Sequence, residues 1–113
     1  MPPVDATRAL RLLGLAARAR ALVIGVPLIC TALSKQAPGK TPLVVLTATD
    51  GSPNTKKRIT DRTAFYGVAC IELPLTCAQL AHTIGKKEAL VAAVGVTDQN
   101  LAAAIKAALT ENN

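Results

Sequence analysis

Few side chains in this sequence have the type and spacing that catalysis or metal binding requires. Three cysteines, Cys30, Cys70 and Cys77, stand without any C-x-x-C pair, and the single histidine, His82, adds too little for a zinc site. They read as small apolar residues of a reduced protein. Asp50 follows an apolar run and so falls where open α/β sheets hold ligands. It has no second carboxylate or histidine beside it in sequence, and a general acid or base needs positioned partners. Asp50 therefore reads first as a loop or capping aspartate, and His82 as a helix residue without chemistry. G-x-S-x-G, Walker A and G-x-G-x-x-G patterns are absent. The expectation is no catalytic residue, no metal and no cofactor.

The cations are more informative. Lys and Arg number 13 against 7 Asp and Glu, a net charge of +6 over 113 residues. They gather as Arg8, Arg11, Arg18 and Arg20, then Lys56, Lys57, Arg58 and Arg62, then Lys86 and Lys87; beyond Ala89 only Lys106 is basic. Clustered cations at element ends suit phosphate contacts, which need charge and helix N-terminal amides but no ordered active site. The competing reading is a solvated, solubilising surface. Aromatics narrow the partner. With no Trp and only Phe65 and Tyr66, modules that stack bases on several rings are excluded.

The elements that must position these residues alternate in type. Residues 5–18 form a helix with Leu10, Leu13 and Ala17 inward. A short strand over Ala21–Ile24 leads to Gly25 and Pro27, which start a helix ending near Gln36, with Leu28, Ile29, Ala32 and Leu33 inward. Leu43–Thr47 is apolar throughout, as a strand covered on both faces should be. Ser52-Pro53 opens a helix to Tyr66 that Gly67 stops, and Val68–Leu73 is the next strand. Thr76 caps a helix to Ile84, Gly85 ends it, Ala89–Val96 is a strand, and Asp98 caps a last helix. This order predicts a three-layer α/β/α sandwich, one domain over residues 1–113. The apolar run Ala21–Cys30 is ten residues broken by Gly25 and Pro27, too short to span a membrane. The N-terminus lacks the pattern of a signal peptide, so a cytoplasmic protein is expected.

Several segments in order resemble a known family. Leu13 to Arg20 followed by a strand and Gly25, Asn54 to Asp61, Leu80 to Lys87, and Val94 to Asp98 are similar to successive signatures of the bacterial YlxQ-like branch of the ribosomal protein L-seven-Ae family. The resemblance implies a sandwich around a four-stranded mixed sheet, no catalysis, and binding to structured RNA of the kink-turn type, with ribosomal RNA one candidate. It places the contacts on the strand-to-helix turn at Gly25 and on the loop after the fourth helix, here Gly85, Lys86 and Lys87. Thr31 would hydrogen-bond, and Arg18 and Arg20 would neutralise phosphate.

The sequence departs from the family where bases are read. Pro27 and Leu28 replace the usual polar pair, Thr31 the usual Lys, and Ile24 a basic or small polar residue. Proline lacks an amide donor and leucine carries no hydrogen-bonding group. Two consequences follow. Guanine discrimination should fall, leaving charge-driven affinity that weakens with salt. Alternatively, Ile24, Val26, Pro27 and Leu28 form an apolar patch that serves a protein partner or self-association.

Overall fold

The computed structural model describes residues 6–86 and 89–110. Its elements follow the order α1 (Ala6–Arg18), β1 (Leu22–Ile24), α2 (Val26–Lys35), β2 (Val44–Thr47), α3 (Pro53–Tyr66), β3 (Ala69–Glu72), α4 (Cys77–Thr83), β4 (Ala93–Val96) and α5 (Gln99–Thr110). The strands make one four-stranded sheet in the order β1-β4-β2-β3. β2 and β3 are parallel, while β4 lies antiparallel to both β1 and β2. Helices cover both faces, α1, α4 and α5 on one and α2 and α3 on the other. The expected mixed α/β sandwich is the observed one.

Strand alternation divides the core. Val44, Leu46, Val94 and Val96 point towards Leu13, Leu80 and Ile105. Val45 and Ala93 point the other way, towards Ile29, Leu33 and Ile59. Gly95 shares this second face, and a Cβ there would lie 2.8 Å from Pro42 Cβ. The missing side chain lets the buried Pro42 ring cross directly over β4.

Local signals set the helix ends. Ser52 Oγ accepts from the Thr55 amide at 3.2 Å. Thr76 and Gln79 form a reciprocal capping box. Asp98 Oδ1 accepts from the Leu101 amide at 2.9 Å. Gly67, at φ 69°, closes α3.

Helix rotations differ from expectation. In α1 the buried line is Ala9, Leu13 and Ala16, with Leu10 and Ala17 at the margin of the core. Small residues on α1 and on α5, where Ala102 and Ala108 are buried, bring the two helices together. In α2 the buried stripe is Val26, Ile29, Cys30 and Leu33, so Leu28 is 61% exposed instead of inward. The Ala89–Val96 segment is a strand only from Ala93.

Candidate nucleic-acid interface

At the end of α1, the Arg20 amide donates to the Ala17 carbonyl at 3.1 Å and the Ala21 amide to the Ala16 carbonyl at 2.8 Å. This is a Schellman turn, and Arg20 holds the left-handed position that usually goes to glycine, at φ 57°. The end of α4 repeats the arrangement. There the Gly85 amide donates to His82 at 3.1 Å and the Lys86 amide to Ala81 at 2.7 Å, with Gly85 at φ 84°. Both helices are thus stopped by the same device, and the stops place Arg20 and Lys86 on the same depression of about 370 Å³, beside Ile24 and Gly85.

This depression adjoins a larger groove of about 740 Å³ between β1 and α2. Leu22, Val23, Ile24, Leu28 and Ala32 give it an apolar wall. Arg20, Lys35, Lys40 and Lys86 supply charge, Thr31 and Thr97 supply hydroxyls, and among the described residues no carboxylate lines it. Cations gathered without an acidic counterpart repel one another and focus a positive potential that attracts an anion.

At the start of α2, Gly25 adopts φ 94° and ψ 144°, a conformation open to glycine almost alone. Its amide donates to the Ala93 carbonyl at 3.0 Å, and its carbonyl accepts from Ile29 at 3.0 Å. Gly25 therefore joins the sheet edge to the helix and leaves the first-turn amides of Val26 and Leu28 outside the helical hydrogen-bond ladder. Pro27 has no amide to offer. The Thr31 hydroxyl donates to the Pro27 carbonyl at 3.0 Å, which leaves its oxygen lone pairs as acceptors.

Of the residues singled out from sequence, the groove or the adjoining depression brings together Arg20, Ile24, Leu28, Thr31, Gly85 and Lys86. Arg18, two residues before Arg20 at the end of α1, is exposed and lines neither. Lys87 lies outside the described residues. The apolar patch shrinks: Val26 is only 6% exposed and belongs to the core, because it leads the buried stripe of α2. Pro27 and Leu28 are exposed, and Ile24 is half-buried. Lys35 and Lys40 escaped sequence reasoning. Each is a lone cation in its stretch, and only the turn over Pro38-Gly39 folds Lys40 back beside Lys35.

The other ligand candidate resolves into structure. Asp50 Oδ1 accepts from the Cys77 amide at 2.7 Å, and hydrogen bonds from the Cys77 thiol and from this amide lower its pKa. Burial and the Asp50 carboxylate push the Cys77 thiol up, away from thiolate chemistry. Lys56 meets Glu72 at 3.2 Å and donates to the Thr49 carbonyl. Among the described residues, no cluster of three His, Cys, Asp or Glu side chains can hold a metal, and no helix is long and apolar enough to cross a membrane.

Comparison with known proteins adds sequence and fold relatives. No family model matches the chain. It is 33% identical over 95 residues to RNA-binding protein YlxQ of Enterococcus faecium, covering 84% of each chain. It is 40% identical over 91 residues to RNA-binding protein YlxQ of Bacillus subtilis (strain 168), covering 80% of this chain and 84% of that one. A solved protein of unknown function from Bacillus halodurans superposes with TM-score 0.81 at 28% identity, over 92% of this chain and 98% of the other. The Giardia lamblia 15.5kD RNA binding protein shares the fold at TM-score 0.75 and 12% identity, over 96% and 90% of the two chains.

Proposed function

The chain belongs to the family of RNA-binding protein YlxQ, and from that premise we propose that it is a non-catalytic, cytoplasmic RNA-binding protein that takes structured RNA in the groove between β1 and α2. The observation that carries this reading is the convergence of Arg20, Lys35, Lys40 and Lys86 on a groove with no carboxylate among the described residues of its walls. Phosphate is the ligand such a surface favours, and RNA supplies it at regular spacing.

The finer reading is that of the L-seven-Ae family: a bent, kink-turn-type element, in ribosomal RNA or elsewhere, held from two sides. Two features support it. The turn into α2 and the turn out of α4 lie side by side, sharing Ile24, Gly85 and Lys86 in one depression. Gly25 also frees helix-start amides on the same edge. Pro27 and Leu28 supply no side-chain hydrogen bond to a guanine edge, so discrimination between a kink-turn and plain duplex should be small, about tenfold or less, against the larger loss per missing bidentate contact inferred for DNA.

The test is a fluorescence titration of a kink-turn RNA and a matched plain duplex at two salt concentrations. Affinity for both that falls with salt, with a modest kink-turn preference, is the expected result. No affinity for either at low salt overturns RNA binding, and equal affinity overturns kink-turn recognition. A sedimentation run on the wild type and Leu28→Glu separates this reading from the protein-interface reading of Ile24–Leu28. A dimer abolished by Leu28→Glu, with RNA affinity unchanged, would put that reading in place of the groove.

A further inference from the structure

The outer face of α3 is not used by the groove. Asn54, Arg58, Asp61, Arg62 and Phe65 recur there at helical spacing, and all are exposed. α3 is held by its opposite side, where Ile59 and Thr63 are buried against α2 and β3. Phe65 is 80% exposed, the highest value among the described large apolar side chains. Its ring meets Tyr66 edge to face, with centroids 4.9 Å apart and planes at 83°. Tyr66 packs against the core, so it steadies Phe65 from behind while Phe65 faces solvent. Lys57 engages the Asp61 carboxylate at 2.9 Å, whereas among the described residues no ion pair holds Arg58 or Arg62.

We propose that this face is a second RNA-binding surface, one that takes a single-stranded segment by stacking a base on Phe65 and holding flanking phosphates with Arg58 and Arg62. The occupant follows from the side chains. Unpaired guanidinium groups call for an anion, and an aromatic ring on the same stripe calls for a flat apolar partner. A nucleotide combines both. The α-helical rise sets Arg58 and Arg62 about 6 Å apart along the axis and Phe65 about 4.5 Å further on. A base that stacks on a side chain must be free of its own duplex, which selects single strands. The stripe's remaining polar groups are few, so the surface should tolerate any base.

Its position makes it independent of the groove. β1 lines the groove at one edge of the sheet, and α3 packs on β3 at the other. One chain would hold a folded RNA element at one edge and a flanking strand at the other, and joining two such contacts on one RNA raises the affinity of both. The inference requires RNA as the partner but no residue of the groove.

The test uses the full chain and a labelled oligouridylate of about a dozen nucleotides, within the site sizes of single-strand binders. Phe65→Leu keeps the apolar character without the ring, and we expect binding about tenfold weaker, in line with one lost stacking contact. Arg58→Gln with Arg62→Gln should lower the salt slope by about 1.4, the value for two single-strand phosphate contacts. The sequence contains no Trp, so a Phe65→Trp variant carries one reporter, whose fluorescence should be quenched by the oligonucleotide. Lys86→Glu should leave that quench in place while weakening binding of structured RNA. Wild-type affinity in Phe65→Leu overturns the proposal, as does an unquenched Phe65→Trp reporter or a quench lost in Lys86→Glu. Displacement of the oligonucleotide by poly-glutamate at equal charge concentration also overturns it, in favour of an acidic protein partner.

Discussion

Asp50 Oδ1 accepts a hydrogen bond from the Cys77 backbone amide at 2.7 Å, tying the loop after β2 to the first turn of α4 across 27 positions of chain. Thr76 and Gln79 satisfy other groups at that helix end, so Asp50 completes the cap from outside the helix. Its negative charge also faces the positive end of the α4 dipole.

The bond makes stability depend on pH. Asp50 has a pKa below its ordinary value of 3.8 because the Cys77 thiol, and after it the Cys77 amide, hydrogen-bond to the charged form. A group whose pKa is lowered by folding adds stability above its unfolded value and loses it as pH falls through its folded value. The difference in stability between wild type and Asp50→Ala should therefore be constant above about pH 5 and shrink below pH 3.8. Urea denaturation at a series of pH values checks this. A difference that persists undiminished at the lowest pH would show that the capping charge contributes nothing.

Gly95 and Pro42 form a contact with no room for a methyl group, since an added Cβ would lie 2.8 Å from Pro42 Cβ and 2.9 Å from Cγ. Gly95→Ala should destabilise by about 1–3 kcal/mol, the usual range for overpacking a core. Pro42→Gly removes the opposing ring, and in that background Gly95→Ala should cost markedly less. A double-mutant cycle by denaturant unfolding measures the coupling, and additive costs would refute it.

Arg20 sits in the left-handed region at φ 57°, where a residue with a side chain costs about 1–2 kcal/mol. Arg20→Gly should raise stability by about 1 kcal/mol through relief of that strain. The same variant should bind structured RNA less tightly, with a salt slope lower by about one, because one phosphate contact is lost. Thermal melting and a salt-dependent titration check the two effects on one protein. Opposite shifts in stability and affinity would mark Arg20 as a residue kept for binding at the expense of the turn.

Restoring the polar groups at the start of α2 should restore base reading. Leu28 is exposed, so a polar side chain there leaves the core intact. Pro27→Asn with Leu28→Glu should favour a kink-turn over plain duplex by about 1–3 kcal/mol more than the wild type. Thr31→Lys should strengthen binding to both RNAs and steepen the salt dependence. Parallel titrations distinguish the two changes.

The helix ends were legible because their hydrogen bonds close within a few residues. Ser52, Thr76 and Asp98 each accept from an amide three positions on, so residue type and spacing suffice to find them. The Gly67 and Gly85 stops are equally local. Gly85 and Lys86 were legible as the end of α4 for the same reason, and they and Thr31 line the groove or the depression beside it. The rotation of α2 was not. Leu28 with Ala32 and Val26 with Cys30 both make apolar stripes with Ile29 and Leu33, and only packing on the sheet selects the second.

From its sequence alone this protein's alternation of elements, their caps and its excess of positive charge were determined, because each depends on composition or on neighbours in the chain. Tertiary structure alone decided that Lys35 and Lys40 join Arg20 and Lys86 at one groove, that Asp50 caps a distant helix, and that Phe65 faces solvent on the same stripe as Arg58 and Arg62. The physical reason is range. Charges and rings far apart in the chain have no local interaction to record their meeting. Sheet order and helix rotation bring them together, and both are settled only when the whole core packs.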